Sequence, residues 1–188
     1  TIGEAKFIRA YGYFMLGRLF GRVPLIDTIF SNPAAQNNVP QATPAALLAF
    51  IESDLLFAAS TLPMNWDVKF AGRATKGAAN GLLAKVYLYQ QKWQLAMDAA
   101  NAVMGSGQYD LSTSYDKIFR EEGENSKGSV FEIQATASAA IPSANGVQYA
   151  QIQGIRGSGI WDQGWGWNTP STYLEAAYEA GDPRKNRT

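Results

Sequence analysis

Apolar residues recur every three or four positions at the start of the chain, which is the spacing of one face of an α-helix. This pattern predicts a first helix over 4–20 with a broad buried face. The predicted face comprises Ile8, Tyr11, Met15 and Leu19, with Phe7, Phe14 and Leu16 beside them. The helix should end at Gly21, because glycine favours a helix C-terminus and the nearby Pro24 cannot continue the helix.

Three more helices are marked by a hydroxyl residue that can accept a hydrogen bond from the first free backbone N–H groups. Thr43 is the predicted cap of a helix over 44–60, with Pro44 in its first position. Thr75 is the predicted cap of the helix that carries Ala79, Leu82, Leu83, Val86 and Tyr87, and Ser171 is the predicted cap of a helix over 172–180. A further stripe predicts a helix over 93–104 with an inner face of Trp93, Ala96, Met97, Ala100, Val103 and Met104. Only about two residues separate this helix from the one before it, so the two should lie antiparallel.

Such a helical hairpin, with alanines where the two axes approach, resembles a tetratricopeptide repeat unit without the full repeat signature. The pattern then changes: "SVFEIQA" predicts a short buried strand at Val130, Phe131 and Ile133, and 135–169 has no helical stripe. We therefore expect a mainly α fold, with tetratricopeptide-like helix pairs, a loop-rich region and a minor β element. The expected parts of a single partial domain, 1–188, are a helical scaffold (1–122), a loop-rich segment with a short strand (123–170), and a last helix with a truncated end (171–188).

Charge and composition exclude several kinds of site. The chain has 16 basic and 16 acidic residues, so no overall field favours nucleic acid or an anionic membrane surface. It contains no cysteine and no histidine, and therefore cannot by itself form a Ser-His-Asp or Cys-His catalytic group, a disulfide or the usual zinc sites. No apolar run reaches the ~18 residues of a membrane span. Neither "ATKGAANG" nor "GIRGSG" has the spacing of a phosphate loop, and no cofactor or metal is predicted.

The stretch "GIWDQGWGWNTP" combines glycines with three of the five tryptophans. Glycine marks places where the chain turns or approaches another group closely, whereas tryptophan is usually a core residue. In an extended chain, Trp161, Trp165 and Trp167 would project from one face as an aromatic platform. Indole rings suit the apolar face of a sugar. The polar neighbours that can bond sugar hydroxyls are Asp162, Gln163 and Asn168.

Other interpretations stay open at this point. The indoles could fold inward and fasten the loop to the helices. Trp66, beside Asp67 in a helix connector, is a further candidate ligand-binding residue, although core packing is favoured for it. A glycosidase needs two carboxyl groups across a sugar, and Asp162, Glu175 and Glu179 lie near the loop in sequence. A helical repeat that binds a peptide or protein is the other alternative.

Several segments in order resemble the SusD/RagB family of nutrient-binding outer-membrane lipoproteins of Bacteroidetes. They are Arg9-Ala10-Tyr11 with "LFGRVPLI", then "GRATKGAANGLLAKVYLY", "KWQLAMDAANAVMGSGQYDL", Phe119 with "SVFEIQ", and "GDPR". The resemblance implies a noncatalytic protein at the cell surface that binds a nutrient, most often a glycan and in some cases a peptide. It further implies delivery to a SusC-like TonB-dependent transporter, and attachment to the outer membrane through a lipidated N-terminal Cys. Family members are longer, so we expect this chain to be part of a longer protein that carries the anchor.

Together with this resemblance, the sequence predicts noncatalytic binding of an oligosaccharide or polysaccharide and no nucleic-acid partner. The resemblance implies membrane attachment only through a lipid anchor that is absent from this chain. The predicted ligand-binding residues are Trp161, Asp162, Gln163, Trp165, Trp167, Asn168 and Trp66.

Overall fold

The computed structural model describes residues 1–135, 140, 152–157, 159–161 and 164–187. The α-helices whose two ends lie within the described residues are α1 (Ile2–Phe20), α2 (Pro33–Asn37), α3 (Pro44–Thr61), α4 (Lys76–Tyr89), α5 (Trp93–Met104) and α6 (Thr172–Ala177). Short 3-10 helices occur at Val68–Phe70, Glu121–Gly123, Gly159–Trp161 and Pro183–Asn186. The mainly α class and the tetratricopeptide-like helix pairs predicted from the sequence are confirmed.

The three predicted cap residues begin their helices. The hydroxyl oxygen of Thr43 accepts a hydrogen bond from the N–H of Ala46 at 3.2 Å, and Pro44 occupies the first helical position. The caps of α4 and α6 make the same contact, from Ala78 N–H to Thr75 at 3.1 Å and from Leu174 N–H to Ser171 at 3.2 Å. Helix α6 ends at Ala177, three residues before the predicted end.

The four longer helices pack in chain order: α1 against α3, α3 against α4, and α4 against α5. Gly3 near the start of α1 lies beside Thr61 at the end of α3, and Gly17 lies beside Leu47, so these two helices are antiparallel. Helix α3 alone among the described residues is long and apolar enough, by length and composition, to cross a membrane. Its position between α1 and α4 makes it the central helix of the core.

The face of α1 that packs against α3 matches the prediction only in part: Phe7 and Phe14 are buried as expected, whereas Leu16 is exposed and the central stripe does not form the contact. The buried positions are Gly3, Phe7, Ala10 and Phe14, whereas Ile8 and Leu19 are exposed, and Tyr11 and Met15 are only partly buried. Small residues decide the face, because Gly3, Ala10 and Gly17 let the axis of α3 approach closely. An added Cβ at Gly17 would lie 2.9 Å from the Leu47 side chain.

The predicted inner face of α5 is also partly wrong. The residues that bury are Ala96, Ala99 and Val103, while Met97 and Met104 are exposed and Trp93 is 61% exposed. Alanine at the contact positions brings α5 close to α4, so the larger side chains are left on the outer side. Trp93 is thus an exposed tryptophan on the helical scaffold.

A buried carboxylate joins α3 to α1. The side chain of Asp54 is 1% exposed and accepts hydrogen bonds from Lys6 Nζ at 2.5 Å and from Arg9 Nε at 2.7 Å. Burial raises the pKa of Asp54, but the hydrogen bonds from Arg9 and Lys6 outweigh it and hold this pKa below its ordinary value. Asp54 is therefore ionised at neutral pH and paired on both oxygens.

The strand expected at residues 130–133 is not found in the described part of the chain. Residues 130–133 have no regular secondary structure and no strand partner there; the isolated bridge pairs Pro24 with Gln41. Phe131 instead packs edge-on against Phe7, with ring centroids 4.9 Å apart. Val130 lies beside Gly81 of α4, whereas Ile133 is 71% exposed, so packing onto the helices accounts for part of the apolar character of this run.

Candidate functional site

The glycine- and tryptophan-rich stretch is fixed by backbone hydrogen bonds to the segment just before it. Gly164 N–H donates to Ile155 O at 2.9 Å, and Gly166 N–H donates to Gly154 O at 2.9 Å. Trp167 N–H donates to Ile152 O at 3.0 Å. Residues 164–167, which we call the aromatic segment, are therefore held by main-chain contacts that do not depend on side-chain identity.

Two glycines explain why this pairing is possible. A Cβ at Gly164 would lie 2.2 Å from the carbonyl carbon and oxygen of Gly154, which no side chain can tolerate. Gly166 has φ +68°, a left-handed conformation that glycine adopts without steric cost. The glycines thus serve a close crossing of two backbone segments, and the tryptophans lie on either side of Gly166.

The two indoles of the aromatic segment, Trp165 and Trp167, line a shared open groove. Trp165 is 53% exposed and Trp167 is 59% exposed. Their ring centroids are 5.9 Å apart with an interplanar angle of 69°, so one ring meets the other edge-on. The groove has a volume of about 1060 Å³, and its apolar lining also includes Pro170 and Leu174. The flat platform expected of an extended chain is replaced by two indoles set at an angle.

The remaining predicted site residues fall in different places. Asn168 lines the groove and has φ +57°, a conformation that asparagine tolerates better than most residues. The backbone of Trp161 lies in the 3-10 helix Gly159–Trp161. Asp162 and Gln163 lie outside the described residues. Within the described part of the site, the structure brings together Trp165, Trp167 and Asn168.

Trp66 lies at a second cavity, of about 350 Å³, whose lining residues do not overlap those of the groove. Its indole N–H donates to Ala74 O at 2.8 Å, and the Arg73 guanidinium covers one ring face at 3.8 Å from the centroid. Arg73 also donates to both carboxylate oxygens of Glu4, which lowers the pKa of Glu4 to about 2. These contacts support a packing role for Trp66, and its role in ligand binding stays a prediction.

One groove residue was missed by sequence reasoning. Arg156 is exposed and lines the groove, and its Cβ lies 3.1 Å from where a Cβ on Gly166 would stand. The available signal was an arginine in the glycine-rich run "GIRGSG", close in sequence to the tryptophans.

Two acidic side chains of the C-terminal segment, Glu175 and Asp182, each lie against a basic side chain. The side chain of Glu175 is 65% exposed and lies 3.4 Å from Lys185 Nζ. Asp182, in the "GDPR" segment, caps Pro183–Asn186, and hydrogen bonds from Arg184 lower its pKa. Among the residues that the structure describes, no three acidic side chains are grouped so that they could hold a metal ion.

Comparison with known proteins places the chain in a family. Residues 1–88 match the family model described as "Starch-binding associating with outer membrane". A SusD-like protein of Bacteroides ovatus is 33% identical over 148 residues, which are 71% of this chain and 26% of that protein. The chain belongs to the SusD-like family.

Solved structures agree with this SusD-like assignment over nearly the whole chain. A laminarin-binding SusD-like protein superposes with a TM-score of 0.88 at 31% identity, over 99% of this chain and 44% of that one. Surface glycan-binding protein A from Bacteroides thetaiotaomicron, in complex with laminarihexaose, gives a TM-score of 0.79 at 26% identity, over 98% of this chain and 40% of that one. The SusD-like chain thus spans less than half the length of each of these relatives.

Proposed function

We propose that this SusD-like chain contributes to noncatalytic capture of a glycan, with the groove at Trp165 and Trp167 as the binding site. The observation that carries the proposal is the exposure of both indoles in a groove whose backbone is already fixed. A preformed site binds without a large ordering cost, which would otherwise oppose a weak ligand.

The chemistry of the groove suits a sugar. A pyranose ring presents an apolar C–H face and a rim of hydroxyl groups. One indole takes the apolar face, and the second, at 69° to it, supports the adjoining part of the ligand from another direction. The Asn168 amide, which lines the same groove, supplies both a donor and an acceptor for hydroxyl groups. Two angled rings favour a glycan that bends over one that lies flat.

The relatives support the same class of ligand. One solved neighbour is a laminarin-binding protein, and another was solved with laminarihexaose. For this chain we propose an oligosaccharide or polysaccharide ligand, bound at the outer-membrane surface and delivered to a SusC-like TonB-dependent transporter. The family description, which associates starch binding with the outer membrane, supports that location.

The test compares three tryptophan variants in the purified protein. Trp165→Ala and Trp167→Ala should each weaken binding to laminarin or starch about threefold to tenfold, because each removes one aromatic stacking surface. Trp93→Ala is the matched control, since it removes a comparably exposed indole that does not line the groove. Affinity electrophoresis and calorimetry measure the binding, and circular dichroism melting curves check that the fold is unchanged.

Four results would change the proposal. Equal weakening by Trp93→Ala would remove the groove from it, and binding of peptides instead of glycans would favour a peptide nutrient. Release of reducing sugar that is lost in Glu175→Gln would favour a glycosidase. Weakened glycan binding in Trp66→Ala, without a lower melting temperature, would add Trp66 to the site.

A further inference from the structure

The groove carries a positive charge that nothing in the described part of the protein neutralises. Arg156 lines it, and no aspartate or glutamate is among its lining residues. The guanidinium of Arg156 makes no ion pair, hydrogen bond or ring contact among the described residues. An unpaired guanidinium beside two exposed indoles is therefore a distinct feature of this groove.

The other arginines all have partners, which makes Arg156 stand out. Five of them pair with a carboxylate: Arg9 with Asp54, Arg73 with Glu4, Arg120 and Arg187 with Asp116, and Arg184 with Asp182. Arg18 stacks on the rings of Phe14 and Tyr89, and Arg22 donates to Ala42 O. A protein that pairs its other arginines has left the donors of this one available to a ligand.

Resting on the proposed glycan site, we infer that the groove prefers a glycan with an anionic group, a carboxylate or a sulfate, which Arg156 binds. The planar guanidinium offers parallel N–H donors that match the two oxygens of such a group. A sugar stacked on Trp165 or Trp167 carries its substituents at its rim, and Arg156 lines that same groove. Stacking then holds the ring, and the ion pair selects the charged sugar over a neutral one.

The absence of acidic lining residues strengthens the selection. A carboxylate in the groove would repel an anionic glycan, whereas the described lining has only Arg156 as a charged side chain. Exposed ion pairs are weakened by salt, because the screening length is about 10 Å at 0.1 M ionic strength. Preference for the anionic glycan should therefore decline as salt is added, while stacking of a neutral glycan should hardly change.

The experiment measures the affinity of the purified protein for polygalacturonate, for a sulfated galactan and for laminarin, as carboxylated, sulfated and neutral probes. Arg156→Gln should weaken binding of the preferred anionic probe about fivefold at low salt, the upper range for an exposed ion pair, and should weaken laminarin binding less. Arg156→Lys should retain part of the preference, because it keeps the charge and loses the planar fork. Arg22→Gln is the control for the same change in net charge outside the groove.

The outcomes separate this inference from the proposed function. Arg156-dependent, salt-sensitive preference for either anionic probe supports the inference and identifies the group. Equal affinity for all three probes, or equal effects of Arg156→Gln and Arg22→Gln, would overturn the inference that the groove prefers an anionic glycan. In that case, tryptophan-dependent binding of laminarin would still support the proposed function. If none of the probes binds and the tryptophan variants match the unmodified protein, both fall.

Discussion

The most direct test of how the groove is built is a methyl group at Gly164. Its Cβ would lie 2.2 Å from Gly154 backbone atoms, whereas ordinary contact begins at 3.4 Å, so the segments must separate by about 1.2 Å. That shift disrupts the three backbone hydrogen bonds of the aromatic segment. At about 0.5–1.5 kcal/mol each, their loss removes about 1.5–4.5 kcal/mol of local anchoring. We expect Gly164→Ala to lower glycan affinity at least about tenfold.

The matched control is Gly159→Ala. Gly159 has φ +58° but no atom within 4 Å of an added Cβ, so this variant carries backbone strain without a collision. Calorimetry with whichever of the three probes binds most tightly gives the affinity. The far-ultraviolet melting curve reports unfolding of the helices, whose packing does not involve Gly164. We expect the melting temperature of Gly164→Ala to stay close to that of the unmodified protein. Full affinity in Gly164→Ala, or an equal loss in Gly159→Ala, would refute the anchoring argument.

Two further predictions concern the scaffold. Asp54→Asn should lower the free energy of unfolding in urea by about 3 kcal/mol, because it leaves the Arg9 guanidinium without its buried counter-charge; the exposed Asp98→Asn is the control, and similar losses in both would contradict this account. The hydrogen bond from Arg73 lowers the pKa of Glu4 from 4.5 to about 2, so the stability it contributes is present above pH 4.5 and is lost as pH falls toward 2. Glu4→Gln should therefore flatten the stability profile between pH 4.5 and about 2, and an unchanged slope would exclude Glu4 as its source.

Local signals in the sequence were sufficient to locate the four longer helices and α6, whereas the short helix α2 was not predicted. A cap such as Thr43 or Thr75 bonds to a backbone N–H three residues away, so its partner is fixed by chain position alone. The buried face of α1 was harder, because the helix carries two apolar stripes. The choice between them depends on how closely α3 approaches at Gly3 and Gly17, which is a contact between distant parts of the chain.

The groove was predictable in composition but not in geometry. Sequence reasoning identified the tryptophans and Asn168, yet it assumed an extended segment because it considered only neighbours along the chain. The angle between the indoles follows from the pairing of the aromatic segment with 152–155, and from the positive φ of Gly166. Arg156 was missed for the same reason, since its relation to the indoles exists only once the two segments cross.

Anchoring through the main chain has a consequence for how such a binding surface can diversify. Because amide and carbonyl groups hold 164–167 in place, the shape of the loop tolerates replacement of the side chains it displays, provided that Gly164 and Gly166 remain. New sugar preferences can then arise by exchanging residues at 156, 165, 167 or 168 without redesign of the helices beneath. Variation among related proteins is expected to concentrate at those four positions while the two glycines persist.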